Sequence, residues 1–343
     1  MDTQIITNPS DQELDMLARA LRNGELASIP TETVYGLGAN GLDPEAMDKI
    51  YAAKGRPSDN PLILHVPNSE SIKPLVTEVS KTAQLLMDTF WPGPLTITLP
   101  KSDLVPDRAT GGLPRVALRC PDHKVCRALL ERAGVPVAAP SANISGRPSP
   151  TTAQDVYHDM NGRISYILDA GPCTIGVEST VVEVHDDKVI ILRPGGITKA
   201  QLKNVVSTVE YDTALVNATT KPKAPGMKYT HYAPDAPMTV VVGNPEVIAS
   251  TFKELSEGIE GPIGCLVSHE TYDLIKGDTR FMCHCFGHHG DALSLGHDFY
   301  KSLLHFNENH VTLILAEGVN DDGFGVAIMN RMEKASSHHI IYK

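Results

Sequence analysis

Lys54 and Arg56 stand two residues apart in the run Lys54-Gly55-Arg56-Pro57-Ser58-Asp59-Asn60-Pro61-Leu62. Two cations, an amide and a hydroxyl on a loop shaped by glycine and proline are suited to hold phosphate oxygens. A charge pair at a helix end can also be a solvated cap favoured by the dipole. Asn60-Pro61 and a strand carrying His65 follow directly, and they favour the phosphate reading. Further on, an apolar strand with Arg115 at its start carries Arg119 to its end, although arginines on edge strands commonly face solvent. The stretch 138–149 is small residues and hydroxyls, among them Ser141 and Ser149, and leaves backbone N–H groups open to phosphate or adenine. Ser179 on one strand and Arg193 at the exit of another complete the set.

Other chemistries fit the spacing less well. Gly36-Leu37-Gly38-Ala39-Asn40-Gly41 matches G-x-G-x-x-G, but residues 31–35 before it are polar and Pro44 marks a helix that starts late. A dinucleotide fingerprint needs an apolar strand before the first glycine and a helix running at the third, so these glycines are expected to serve a tight turn. There is no G-x-x-x-x-G-K-[ST], no serine elbow and no pair of catalytic carboxylates. Cys283-His284-Cys285 with His288, His289 and His297 suggests zinc, but no second pair closes a tetrahedron. Cys283 and Cys285 are expected on opposite faces of a strand, as half-buried thiols beside surface histidines.

The elements that must position these residues read as two kinds of domain. Residues 11–22 show helical spacing, and a second helix follows Asp43 as N-cap with Pro44 in its first turn. Short strands are expected at 61–66, 95–99, 116–118, 135–139, 165–169, 179–184 and 189–192, with helices near 80–89, 122–133 and 151–160. This is an α+β domain on a twisted mixed sheet, ending near Val206. The proline-rich stretch 207–237 reads as a linker, yet Met227-Lys228-Tyr229-Thr230-His231-Tyr232 is rich in rings and hydrogen-bonding groups for a passive spacer. From 238 to 343 strands and helices alternate, as in a small parallel sheet of βαβ units.

Bulk properties bound the partners. The 343 residues exceed the size at which one core usually stops growing, and 41% hydrophobic with 21% charged residues is ordinary for globular proteins. No run approaches the roughly 18 apolar residues of a membrane span, and the first residues lack a cationic leader, so a cytoplasmic protein without membrane contact is expected. Six scattered cysteines suit a reducing compartment. The net charge of −11 argues against a protein whose main work is gripping phosphate backbones, so any RNA contact is expected to be local or transient.

Several of these runs together resemble the YrdC-type threonylcarbamoyl-AMP synthases. They are 31–37, Lys54-Gly55-Arg56-Pro57 with Asn60-Pro61-Leu62, Trp91-Pro92-Gly93-Pro94-Leu95-Thr96, Pro140-Ser141-Ala142-Asn143 and Ser179-Thr180-Val181. The runs 225–234 and 323–331 resemble the longer, two-domain branch. The resemblance implies a YrdC-like twisted sheet with a cavity over 1–206, a linker lying over it at 207–237, and a Rossmann-like domain over 238–343. It implies a nucleotidyltransferase that makes threonylcarbamoyl-AMP from L-threonine, bicarbonate and ATP, for the adenosine next to the anticodon of ANN-decoding tRNAs. L-threonine would be held by Thr33, His65, Arg119, Ala139 and Ser179. ATP would be held by Arg56, Asn60, Arg115, Ser141, Ser149, Arg193 and Tyr232, the last as a lid residue, with Lys54 and Arg56 catalytic. Mg²⁺ would arrive on the ATP phosphates, no organic cofactor is expected, and a tRNA threonylcarbamoyl-transferase would consume the product. Lys54→Ala and Arg56→Ala are expected to abolish adenylate formation while leaving the fold intact. Two other readings stay open at this point: a double-stranded RNA-binding or ribosome-assembly module, and a carbamoyltransferase with a YrdC domain.

Overall fold

The structure, a computed structural model, describes residues 2–215 and 231–343. The linker residues Met227 to Thr230 singled out above therefore lie outside the described residues. The chain divides into two compact units, one reaching from the N-terminus to the linker and one holding residues 230–343 together with the short segments 146–148 and 175–177.

The first unit is built on one mixed sheet. Its strands in chain order are β1 (Gln4–Thr7), β2 (Ala27–Ile29), β3 (Gly36–Asn40), β4 (Ile63–His65), β5 (Leu95–Pro100) and β6 (Arg115–Arg119). There follow β7 (Val137–Ala138), β8 (Tyr166–Asp169), β9 (Thr180–Val184), β10 (Lys188–Arg193) and β11 (Thr208–Tyr211). They lie side by side as β1-β8-β2-β3-β7-β4-β6-β5-β9-β10-β11. β11 lies beyond Val206 and pairs parallel with β10, so the sheet outruns the end read from the sequence.

Period two sends alternate residues to opposite faces, and the two faces are covered differently. On one face Leu37, Ala138, Leu64, Leu118, Ile97, Val182 and Ile191 join a large core under the helices Pro44–Lys54, Lys81–Phe90 and Ala153–Met160. On the other, the helices Asp11–Arg22 and Lys124–Ala133 pack on Ile6, Ala27, Ile29, Val137, Ala139 and Leu168. That second helix layer stops at β7. Beyond it, on the same face, His65, Thr96 and Arg119 stand among the apolar Ile63, Ala117 and Val181.

Of the glycines in the G-x-G-x-x-G match, Gly41 lies in a turn over 40–43, where the Asp43 N–H donates to the Asn40 carbonyl at 3.2 Å, but Gly36 and Gly38 lie inside β3, contrary to the expectation. A Cβ on Gly36 would stand 3.1 Å from the Ala139 Cβ, and one on Gly38 2.9 Å from the Val137 Cγ1. Close approach of β3 and β7 is what demands glycine there.

The second unit is a parallel sheet of β12 (Met238–Val242), β13 (Ile263–Val267), β14 (Phe281–Cys285), β15 (Leu313–Glu317) and β16 (Ile340–Tyr342), in the order β14-β13-β15-β12-β16. Helices Pro245–Leu255, His269–Ile275, Ala292–Glu308 and Gly325–Ala335 connect the strands. The helix at 269–275 was not anticipated, because its seven residues are too few to show a period. Cys283 and Cys285 correct an expectation: both pack against one core cluster with Cys265, as residues i and i+2 of a strand must. His284 between them reaches Asp298 instead, at 3.3 Å. Among the described residues no helix is long and apolar enough to cross a membrane, and no group of three or more His, Cys, Asp or Glu side chains is placed to hold a metal ion.

Candidate functional site

Beyond β7 this face of the first sheet gathers polar residues in a single cross-strand row. His65 of β4 is paired in register with Arg119 of β6. Thr96 of β5 stands one step past the pair Ile97 and Leu118, and so lies opposite Arg119. Thr96 is in register with Val181 of β9, and Val181 with Arg193 of β10. Directly paired residues share a face, so His65, Arg119, Thr96 and Arg193 line one stripe. A register shift between Ile191 and Arg193 marks a bulge, which lets Arg193 leave the regular alternation and turn toward Ser179.

At one end of the row Arg119 is 4% exposed. Its Nη1 donates to the Thr33 hydroxyl at 2.9 Å, its Nε to the Gly93 carbonyl at 3.4 Å, and its Nη2 lies 2.7 Å from Glu32 Oε1. His65 beside it is pushed down to about 3, by burial first and the Arg119 charge second, so its ring is neutral. The Ala139 N–H donates to the Ile63 carbonyl at 3.0 Å, which seats this residue at the same strand ends. Next along the row, the Ser179 hydroxyl meets the Thr96 hydroxyl at 2.8 Å. Arg193 donates to the Ser179 carbonyl from Nε at 3.1 Å and from Nη2 at 3.0 Å, and from Nη2 to its hydroxyl at 3.2 Å. Gly195 makes this possible: a Cβ there would stand 2.3 Å from the Thr180 nitrogen.

The loop 140–145 is built onto the row from behind. The Ala142 N–H donates to the Tyr35 carbonyl and the Ser145 N–H to the Lys54 carbonyl, both at 2.9 Å. Lys54, the last residue of its helix, is 2% exposed and donates from Nζ to the Ser141 carbonyl and, at 2.6 Å, to the Asn143 carbonyl. Burial above all, then Arg56, holds its ammonium well below the ordinary lysine range. Buried Asp159 accepts from the Ile144 N–H at 3.0 Å. Ser149 is fully buried and donates to Glu178 at 2.6 Å. Arg56 begins the following loop, its Nη2 donating to the Pro61 carbonyl at 3.2 Å, and the Asn60 side chain is buried beside it.

Arg115 lies on the same face of β6 as Arg119, four residues and about 13 Å away. It bridges strands through Nη2, which donates to Thr98 O at 2.7 Å and Val184 O at 2.8 Å. Beside it opens a cavity whose walls are mostly apolar, including Pro61, Leu62, Leu113, Pro114 and Ala117, with Glu183 on its polar side. Tyr232 belongs to the second unit. There it is 5% exposed, with Tyr300 at 5.3 Å between ring centroids and the Arg331 guanidinium 6.0 Å over its ring.

The structure thus brings together, within the first unit, Thr33, His65, Arg119, Ala139, Ser179 and Arg193 as one stretch, and Lys54 with Ser141 as a second; Arg115 stands at the far end of β6. Glu32, Thr96, Asn143 and Glu178 were not singled out, yet each binds a residue that was, and Asp159 holds the Ile144 amide of the 140–145 loop. The first three lie inside the motifs, where they were passed over in favour of their neighbours. Asp159 had a fainter signal, an acid three residues after Val156 on the apolar side of its helix.

Residues 19–195 match the Sua5/YciO/YrdC family model, described as telomere recombination, and 197–337 match the threonylcarbamoyl-AMP synthase C-terminal domain. The threonylcarbamoyl-AMP synthase of Bacillus subtilis is 45% identical over 97% of this chain and 95% of its own length. That of Pyrococcus abyssi is 42% identical over 96% and 95%. The crystal structure of Pyrococcus abyssi Sua5 complexed with L-threonine superposes with a TM-score of 0.90 over the whole of both chains, at 39% identity. Joined to the mixed sheet, the parallel α/β unit and the buried polar row, these likenesses show that the chain belongs to the two-domain Sua5 branch of the threonylcarbamoyl-AMP synthases, enzymes of the nucleotidyltransferase type.

Proposed function

We propose that this enzyme joins L-threonine, bicarbonate and ATP into threonylcarbamoyl-AMP, with pyrophosphate and water released, for the adenosine next to the anticodon of ANN-decoding tRNAs. The observation that carries the reading is the row His65, Arg119, Thr96, Ser179 and Arg193, buried polar groups gathered on one face of the sheet. Such groups are costly to bury unless they meet a ligand or one another.

Arg119 would take the threonine carboxylate in a bidentate pair, with the Thr33 and Ser179 hydroxyls and neutral His65 around the rest of the amino acid. Because His65 is uncharged, Arg119 is the cation at this end and fixes the carboxylate there. Arg56, Asn60, Ser141, Ser149 and Arg193 would hold the triphosphate, which brings Mg²⁺ with it as part of the substrate. Running along β6, the nucleotide would reach Arg115 and place its base in the apolar cavity beside that residue. The amine adds to bicarbonate-derived carbon to give a carbamate, and its oxygen attacks the α-phosphorus as pyrophosphate leaves. No covalent nucleophile is required; positioning, electrostatic stabilisation and exclusion of water account for the rate. The product, a labile mixed anhydride, would pass to a tRNA threonylcarbamoyl-transferase in the cytoplasm.

Pyrophosphate release from Mg-ATP, with L-threonine or bicarbonate omitted in turn and the adenylate identified by chromatography, tests this. Release that needs both small substrates is expected. ATP turnover indifferent to threonine would refute it.

A further inference from the structure

Glu32 has no part in the chemistry above, yet its surroundings are unusual. Its carboxylate is 7% exposed and stands 2.7 Å from Arg119 Nη2. Neither oxygen accepts a well-aligned hydrogen bond among the described residues. A buried carboxylate held by charge alone acts on whatever cation it faces, and here that cation is the proposed partner of the substrate carboxylate. The segment carrying it is itself pinned: Thr31 Oγ1 accepts from the N–H groups of Thr33 and Val34 at 3.2 and 3.3 Å and meets the Thr33 hydroxyl at 2.9 Å. Thr33 in turn accepts from Arg119 Nη1. The guanidinium is therefore gripped at Nη1 and Nη2 by neighbouring residues of one rigid turn, and at Nε by Gly93.

We propose that Glu32 is a positioning residue for threonine. Its charge sets the plane of the Arg119 guanidinium, so that the remaining N–H groups meet the substrate carboxylate in the flat, two-bond geometry that this pair requires. This rests on the reading of Arg119 as the carboxylate's partner. A carboxylate that only neutralised a buried cation would leave ligand geometry untouched.

The test compares Glu32→Gln and Glu32→Asp in the full chain by calorimetric titration with L-threonine and with L-threoninamide, which lacks the carboxylate. Glu32→Gln keeps the size and loses the charge; Glu32→Asp keeps the charge and draws it back by about 1.5 Å. Threonine affinity should fall about tenfold or more in Glu32→Gln and by less in Glu32→Asp. Threoninamide affinity and the KM for ATP should stay within about twofold. Equal losses for threonine and threoninamide, or no loss in either variant, overturn the inference. If the parent enzyme itself binds threonine no better than threoninamide, the role given to Arg119 falls, and this inference with it. Should Glu32→Gln fail to fold, the same comparison in Glu32→Asp decides.

Discussion

Replacing Lys54 by Met keeps an apolar stem as far as Cε and deletes the ammonium. In the parent that ammonium serves the Ser141 and Asn143 carbonyls, and the Asn143 side-chain oxygen lies 3.4 Å away. A buried acceptor stripped of its donor costs about 1–3 kcal/mol, and breaking a buried charged contact about 3–5 kcal/mol. Against this stands relief of the ammonium's own desolvation, the main cause of its lowered pKa. We take about 3 kcal/mol as the net loss. For a unit of this size that corresponds to a midpoint about 6–12 °C lower. Trp91, the single tryptophan, lies in the first unit, so its fluorescence reports melting of that unit. Pyrophosphate release should be lost as well, because the 140–145 loop would no longer be held. The same melt tests the expectation that Lys54 can be removed with the fold intact. A variant that melts within about 2 °C of the parent but makes no adenylate would refute the reasoning and put the ammonium on the substrate instead.

Arg56→Ala should abolish pyrophosphate release while shifting stability by less than about 1 kcal/mol, since Arg56 sits on a partly exposed loop; turnover near the parent's would remove Arg56 from the phosphate site. His65 gives a pH test. Burial lowers its folded value from 6.5 to about 3, so between those limits the unfolded chain holds a proton that the native chain does not. Stability is then fully present above 6.5 and is lost as the pH falls toward 3, at about 1.4 kcal/mol per pH unit. Urea unfolding at several pH values should show this slope reduced by that amount in His65→Asn, and identical slopes in the two proteins would mean that His65 is not buried in its neutral form.

Local chemistry made much of this protein legible in its sequence. The helix start at Asp43, the helical spacing over 11–22, the proline-rich break before Met238 and the apolar strands each carry their own physical cause, and so did the cations at Lys54, Arg56, Arg119 and Arg193. The motif residues could be named because their types suit anions wherever the chain puts them. What tertiary structure alone decided is which of them meet. Cross-strand register makes Arg119, Thr96 and Arg193 neighbours although 23 and 97 residues separate Thr96 from the other two. The place where the second helix layer stops leaves the row beyond it, and no residue in the row records that. Partner choice was equally hidden: Glu32 on Arg119, Asp159 on the Ile144 amide and Lys54 on two loop carbonyls all join distant segments. A side chain's type limits what it can bind, but burial and register decide what it finds.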